Sequence, residues 1–369
     1  MRQGVLSPVQ QRFRRVLGVF VVMLSFGFVG PVADIAEAAP AASPSTGQKS
    51  SQKRVTASKA KSRGYSAKAA KARRARLARA RAAAKARQWR EAATPRYKTN
   101  EAGELVPDVR AAAAIIYNPD TNEVLWESNS HDARSIASIT KVMTAAVIFE
   151  SNPDLTREVT IDRTDVVRAN HTYLRSGERV TIDDLLHLTL VASDNAAARA
   201  LARTSPLGAP GFIDRMNERA LELGLEDTTY ADPSGLLSAN VSSAYDMARL
   251  ITFASTDDRI SSIMRKARYT VLTSRRVVTI NNTNQLLVKG DVDVRGGKTG
   301  FISKAGYCLA TMLRLPQSKQ QFAVVVLGAR SSAGRFMETR HLLNWLATRT
   351  QSLSLLGATP EPAAATPEE

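Results

Sequence analysis

The chain has one cysteine and four histidines in 369 residues. A single thiol excludes an intramolecular disulfide framework and any zinc site built from several thiolates. The histidines stand in no HExxH or His/Cys cluster, so neither a metal site nor a metal-centred mechanism is expected. Long apolar runs are equally scarce. One, at residues 16–29, falls short of the roughly 20 residues that a spanning helix wants. Arg12, Arg14 and Arg15 precede it, Gly30-Pro31 breaks it, and Ala36-Glu37-Ala38 offers small residues for cleavage. Residues 1–38 therefore read as a cleaved secretory signal peptide, with an uncleaved anchor as the alternative. No second run of that kind follows, so the mature body is expected to be soluble. An apolar content of 44% supplies a sizeable core and excludes a wholly disordered chain.

Acidic side chains are nearly missing from residues 40–98, where 18 Lys/Arg face one acid, Glu91. Residues 99–369 hold 29 bases and 31 acids, so the net charge of +17 comes almost wholly from the N-terminal quarter. Residues 68–90 are almost only Ala, Lys and Arg, without an apolar face at helical spacing. Residues 39–106 are thus expected to be a solvated, disordered basic tail. Attachment to a polyanion or envelope component outside the cytoplasm is the functional alternative, and the export signal argues against a specific nucleic-acid partner.

The remaining body alternates strand and helix signals. Residues 111–117, a turn at 118–122 and residues 123–126 read as a hairpin. Helical periodicity marks 138–149. Thr181-Ile182-Asp183-Asp184 opens a helix carrying Leu185, Leu186 and Leu188. Further helices are expected at 211–223, 243–254 and 333–346, and strands at 307–315 and 322–327 joined across Pro316-Gln317-Ser318. Strands open and close the body while helices fill its middle. This predicts an α+β fold, an antiparallel sheet built from both ends of the chain and flanked by helices. Residues 351–369 read as a frayed end.

Three short motifs carry chemistry. In Ser138-Ile139-Thr140-Lys141 the i,i+3 spacing puts a hydroxyl and an amine on one helical face. A lysine held in a water-poor cleft loses its proton more easily and can serve as a base. Ser193-Asp194-Asn195 follows the apolar helix. Lys298-Thr299-Gly300 comes before the closing strands and offers a fixed charge, a hydroxyl donor and room at a strand edge. Each is weak alone. The ordered set, with 55 and 105 residues between leading positions, is specific.

That set resembles the penicillin-interacting serine enzymes, D,D-peptidases and class A β-lactamases. The resemblance spans residues 107–350. The run Ile136-Ala137-Ser138-Ile139-Thr140-Lys141-Val142-Met143-Thr144, the elements Asp232-Pro233-Ser234-Gly235-Leu236 and Asn282-Thr283-Asn284, and Lys298-Thr299-Gly300-Phe301 are similar to the low-molecular-mass penicillin-binding proteins, D-alanyl-D-alanine carboxypeptidases and endopeptidases, and most to the endopeptidase subtype. The resemblance implies a β-lactamase/D,D-peptidase-like fold with an all-helical subdomain, and an acyl-enzyme on Ser138. Lys141 is then the base, Ser193 a proton relay, and Asn195 a holder of Lys141 and substrate. The backbone N–H groups of Ser138 and Phe301 form the oxyanion hole, and Lys298, Thr299 and Gly300 line the place of the substrate carboxylate. It implies peptidoglycan stem peptides as substrates in cell-wall remodelling, β-lactams as covalent inhibitors, no cofactor, and a periplasmic location. The 19 residues after Thr350 are too few for the second domain and membrane helix common in the carboxypeptidase subtype, which favours the endopeptidase. A class A β-lactamase needs Glu-x-x-x-Asn between Asn195 and Lys298; Glu218, Glu222 and Glu226 all lack it, so a slow acyl adduct is expected rather than turnover.

Other residues have plainer expectations. His171 and His187 read as surface or structural residues, and Cys308 as a buried small side chain in a strand. Asp194 reads as either a local cap or part of the site, Asn282 and Asn284 as shaping the cleft floor or merely a turn, and Arg275-Arg276 as a solvated strand edge.

Overall fold

A computed structural model describes residues 56–290, 292–315 and 319–355. The signal segment, the first part of the basic tail, the turn at 316–318 and residues 356–369 lie outside the described residues. The chain divides into two units, 1–69 and 70–369. Of the first, only the start of helix α1 (Thr56–Ala93) is described; everything below concerns the second.

Within the stretch expected to be a disordered tail, residues 56–93 are helical. Ala, Arg, Lys and Leu are strong helix formers, while like-charge neighbours oppose a helix by only a few tenths of a kcal/mol per pair. Arg87 and Glu91 also form an i,i+4 ion pair at 3.2 Å. The helix end is tied down. Ala92 is buried, His341 Nε2 lies 3.2 Å from the Ala93 carbonyl, and Arg110 donates to the Thr94 carbonyl at 3.3 Å. The body also begins earlier than residue 107. β1 (Tyr97–Thr99) pairs with β2 (Leu105–Pro107), Val106 enters the core, and the Trp345 indole donates to the Leu105 carbonyl at 3.2 Å.

β3 (Ala113–Asn118) and β4 (Glu123–Ser128) form the expected hairpin. The helical middle follows with α2 (Lys141–Glu150), α3 (Arg163–Val166), α4 (Ile182–Leu190), α5 (Asn195–Thr204), α6 (Gly208–Glu222), α7 (Ala244–Thr256) and α8 (Asp258–Met264). Two-stranded pairs brace it: β5 (Arg134–Ser135) with β8 (Val241–Ser242), and β6 (Glu158–Thr160) with β7 (Arg179–Thr181). β9 (Arg268–Leu272) and β10 (Val277–Asn281) make a hairpin, and α9 (Gln285–Lys289) leads into β11 (Asp293–Ile302), β12 (Gly306–Arg314) and β13 (Gln321–Ala329). α10 (Ser332–Leu355) closes the described chain.

The main sheet has the order β11-β12-β13-β3-β4 and is antiparallel throughout. Both ends of the chain build it, and β13 pairing with β3 is the joint. Strand alternation splits its side chains between two cores. Ala323, Val325 and Leu327 face the helical middle with Ile115 and Ala310, while Phe322, Val324 and Val326 face α10 with Ile116 and Leu342. Burial on both faces explains why β13 reads as a continuous apolar run rather than an alternating one. The result is an α+β fold in which β11, the edge strand, borders the helical middle.

Candidate active site

Ser138 sits in a single 3-10 turn (Ala137–Thr140) immediately before α2. Its neighbour Ala137 has φ +49°, a left-handed conformation that costs a non-glycine residue about 1 kcal/mol or more. Two glycines permit the turn. A Cβ on Gly235 (φ +77°) would stand 2.1 Å from the Ala137 carbonyl oxygen, and one on Gly300 would stand 2.6 Å from the Ile136 carbonyl oxygen. Both backbones pass against the turn at distances that only glycine allows.

Lys141 begins α2 and is fully buried. Its Nζ lies 2.6 Å from Asn195 Oδ1, 2.5 Å from the Ser234 carbonyl and 3.0 Å from Ser138 Oγ. Burial pushes the ammonium down to about 7, against the opposing pull of Asp232 and Asp194 and with the help of Arg199. Near neutral pH a large share of the amine is therefore uncharged. A neutral amine has two N–H donors and one lone pair. Asn195 Oδ1 and the Ser234 carbonyl can only accept, so they take both donors, and the lone pair is left for the Ser138 hydroxyl proton.

Each partner of Lys141 is itself held. Asn195 is the first residue of α5, and its Nδ2 donates to the Ala169 carbonyl at 2.7 Å. Asp194 caps α5 by accepting from the Ala197 amide at 3.0 Å, and also accepts from the Tyr173 amide at 2.5 Å. It is a local cap that also pins the 168–173 loop. The Ser234 carbonyl is aimed by Asp232, which accepts from the Gly235 amide at 3.1 Å, the Leu237 amide at 3.2 Å and the Asn240 side chain. The Thr144 hydroxyl donates to the Pro233 carbonyl at 2.6 Å.

Across the cleft, Ser193 also takes a left-handed φ, +61°. Its Oγ accepts from Lys298 Nζ at 2.8 Å, and the same Nζ donates to the Thr299 carbonyl at 2.9 Å. The sequence reading placed Lys298-Thr299-Gly300 before the closing strands. It does precede them, and the structure adds that the motif lies within a strand of its own, β11, whose Gly300 opposes Cys308 on β12. Burial, the charge of Lys141 and that of Arg335 all depress the Lys298 ammonium. Thr299 Oγ1 meets Thr283 Oγ1 at 2.7 Å. The Phe301 ring is half exposed and stacks on Tyr307 with centroids 4.2 Å apart. Ser138, Ser193, Asn195, Thr299, Gly300 and Phe301 all line one cleft of about 550 Å³, and the buried Lys141 and Lys298 reach it through Ser138 and Ser193.

Several contributors had no readable signal. Arg335, buried at the start of α10, lines the cleft and donates from Nη1 to the carbonyls of Gly300 (3.0 Å) and Cys308 (3.3 Å). Burial lowers its guanidinium to about 10. A lone Arg in a helical pattern carries no motif. In the Asn-Thr-Asn element the asparagines are structural. Asn282 Nδ2 donates to the Met264 and Lys266 carbonyls, Asn284 caps α9, and Thr283 between them faces the cleft. His187 is structural, stacked on Tyr269 at 3.7 Å. His171 is an exposed residue of the cleft wall, and Cys308 is buried in β12 as expected.

Arg276 is not a solvated edge residue. Its Nε donates to Glu178 Oε1 at 2.8 Å, and its Nη2 donates to the Tyr173 carbonyl. Glu178 is fully buried. Burial pushes its carboxyl up, but Arg276 and the Arg175 amide outweigh that and hold it below the usual range. The pair joins the β9–β10 hairpin to the cleft-wall loop. Arg276→Ala strands this carboxylate and is expected to cost about 3 kcal/mol, read from urea unfolding at pH 7. Because the carboxyl is depressed on folding, its contribution is complete above the unfolded carboxylate pKa and fades as the pH falls below it. A loss below about 0.5 kcal/mol would place the pair among inert surface contacts.

A serine hydroxyl against a buried lysine amine, beside an edge strand of an antiparallel sheet, fits a serine-type hydrolase. The comparisons agree. Residues 99–331 match the D-alanyl-D-alanine carboxypeptidase family. A D-alanyl-D-alanine endopeptidase from Pseudomonas aeruginosa is 32% identical over 248 residues, covering 66% of this chain and 79% of its own length. A D-alanyl-D-alanine carboxypeptidase from Salmonella typhimurium is 31% identical over 258 residues, covering 65% of this chain and 63% of its own. The crystal structure of a Streptomyces DD-transpeptidase superposes with TM-score 0.60 at 28% identity, covering 65% of this chain and 97% of its own. The chain belongs to the D-alanyl-D-alanine carboxypeptidase family of penicillin-binding serine peptidases.

Proposed function

We propose that this D,D-peptidase works through an acyl-enzyme on Ser138 and acts as an endopeptidase on peptidoglycan cross-links in the periplasm. The observation that carries the mechanism is the 3.0 Å contact between Lys141 Nζ and Ser138 Oγ, with both other acceptors of the amine already committed. Lys141 takes the Ser138 proton as Oγ bonds to the carbonyl carbon of the D-Ala residue. Backbone N–H groups of Ser138 and Phe301 stabilise the oxyanion. As the carbon–nitrogen bond breaks, the departing amine gains a proton through Ser193, which Lys298 holds at 2.8 Å. Water then hydrolyses the ester. Lys298, Thr299 and Arg335 favour a substrate carboxylate in the cleft, and the same positions take the carboxylate of a β-lactam.

The endopeptidase assignment rests on the Asn-Thr-Asn and Lys-Thr-Gly-Phe elements and on the endopeptidase relative, which aligns over more of its own length than the carboxypeptidase does. The test uses a cross-linked muropeptide dimer and a monomeric pentapeptide, with products weighed by mass spectrometry. The expected result is conversion of dimer to monomers, absent in Ser138→Ala. Loss of D-Ala from the pentapeptide alone would reassign the chain to carboxypeptidase action, and inertness toward both would remove the peptidase reading of this cleft.

A further inference from the structure

Behind the catalytic cleft lies a second groove, of about 630 Å³, between the C-terminal half of α1, α9 and the start of α10. Arg81, Lys85, Lys289 and Arg330 line it, and no acidic side chain does among the described residues. Trp89 forms one wall, 39% exposed, with Lys289 Nζ 5.0 Å from its ring centroid. Tyr307 forms part of the other wall. Its ring stacks on Phe301 of the catalytic cleft, so the two depressions adjoin through this pair of rings. The groove belongs to one folded body, because α1 ends in the anchored segment at Ala92 and Ala93.

We propose that this groove is an exosite for an acidic polysaccharide strand. Clustered cations in a groove whose described lining holds no acid create a positive potential that a polyanion relieves. A concave wall with an exposed indole offers a platform for a sugar ring beside the charges that hold its carboxylates. A membrane surface fits less well. Between residues 70 and 93 α1 carries nine bases, one acid and no apolar face, with Leu77 and Trp89 as the only large apolar side chains. Position favours a glycan over other polyanions, since the groove adjoins the cleft. That last step rests on the cell-wall reading above. An acidic strand seated here would hold the protein with its peptidase cleft turned to neighbouring wall material.

The probe is a fluorescent polygalacturonate oligomer, followed by anisotropy against the full protein at 0.15 M salt. The double variant Arg81→Glu/Lys85→Glu in the groove is expected to weaken binding roughly tenfold, and Trp89→Ala roughly fivefold. Arg73→Glu/Arg76→Glu, on the same helix but outside the groove lining, should change it less than about threefold. The methyl-esterified oligomer should not bind. All variants should react with a fluorescent penicillin at the unmodified rate, which separates failure of the exosite from failure of the peptidase site. Equal losses from both double variants would reduce the effect to diffuse charge and overturn the groove. Tighter binding of a single-stranded oligonucleotide, or of phosphatidylglycerol vesicles, would overturn the polysaccharide.

Discussion

Lys141→Ala is expected to slow acylation by a β-lactam roughly 10²–10⁴-fold, and Ser138→Ala to remove the covalent adduct altogether. The distinction matters because the two residues share one hydrogen bond but hold different roles. Without Ser138 no bond to the carbonyl carbon forms, and intact-mass measurement should show the bare protein after any incubation. Without Lys141 the hydroxyl remains but its proton has no acceptor of suitable strength, so a slow adduct should still accumulate. The pH profile carries the sharper information. Burial depresses the Lys141 ammonium to about 7, and the reactive form is the neutral one. The acylation rate of the unaltered protein should rise with pH through about 7 and then level. In Lys141→Ala that limb should vanish. A rise centred near the ordinary lysine range would mean that the amine is charged in the resting site, and that another group takes the proton.

Gly235→Ala is expected to lower acylation about 10²-fold while leaving the protein folded. Gly235 makes no contact with substrate in the proposed mechanism. The added methyl would stand 2.1 Å from the Ala137 carbonyl oxygen and 2.9 Å from the Ser138 amide, at a φ that disfavours any side chain. Something must move, and all the atoms the methyl would meet belong to the turn that carries Ser138. Displacement of that turn also shifts the Ser138 amide out of the oxyanion position, so kcat/KM should fall with little change in the circular dichroism spectrum. A variant that acylates normally would show that the turn yields without moving Ser138.

Much of this site is written locally, and those parts were legible. Ser138 and Lys141 are three residues apart. Ser193 and Asn195 flank a helix cap, and Lys298, Thr299 and Gly300 are consecutive. The sheet could be read from β3, β4, β12 and β13 because their apolar runs are short and bounded by turns. What stayed hidden depends on tertiary partners. Arg335 matters because β11 and β12 present two carbonyls to it, and Arg276 because Glu178 is buried opposite. Neither relation leaves a spacing in the sequence. α1 was legible only in part, for a different reason. An absent apolar stripe argues against burial of a helix, and repulsion between like charges was weighed against the helix-forming alanine and arginine.

The joint between β3 and β13 has a consequence for when the protein becomes reactive. Val325 pairs with Ile115 and Val324 with Ile116, contacts between residues about two hundred positions apart. Such long loops close late and slowly. β11, which carries Lys298 and Gly300, reaches that joint only through β12 and β13. A chain whose helical middle has already collapsed therefore holds the Ser138–Lys141 pair without its opposing wall. Covalent capture by a labelled penicillin during refolding thus acts as a clock for sheet closure. Its appearance should lag the recovery of helical signal, and the lag measures how long Ser138 waits for the strands from the far side of the sequence.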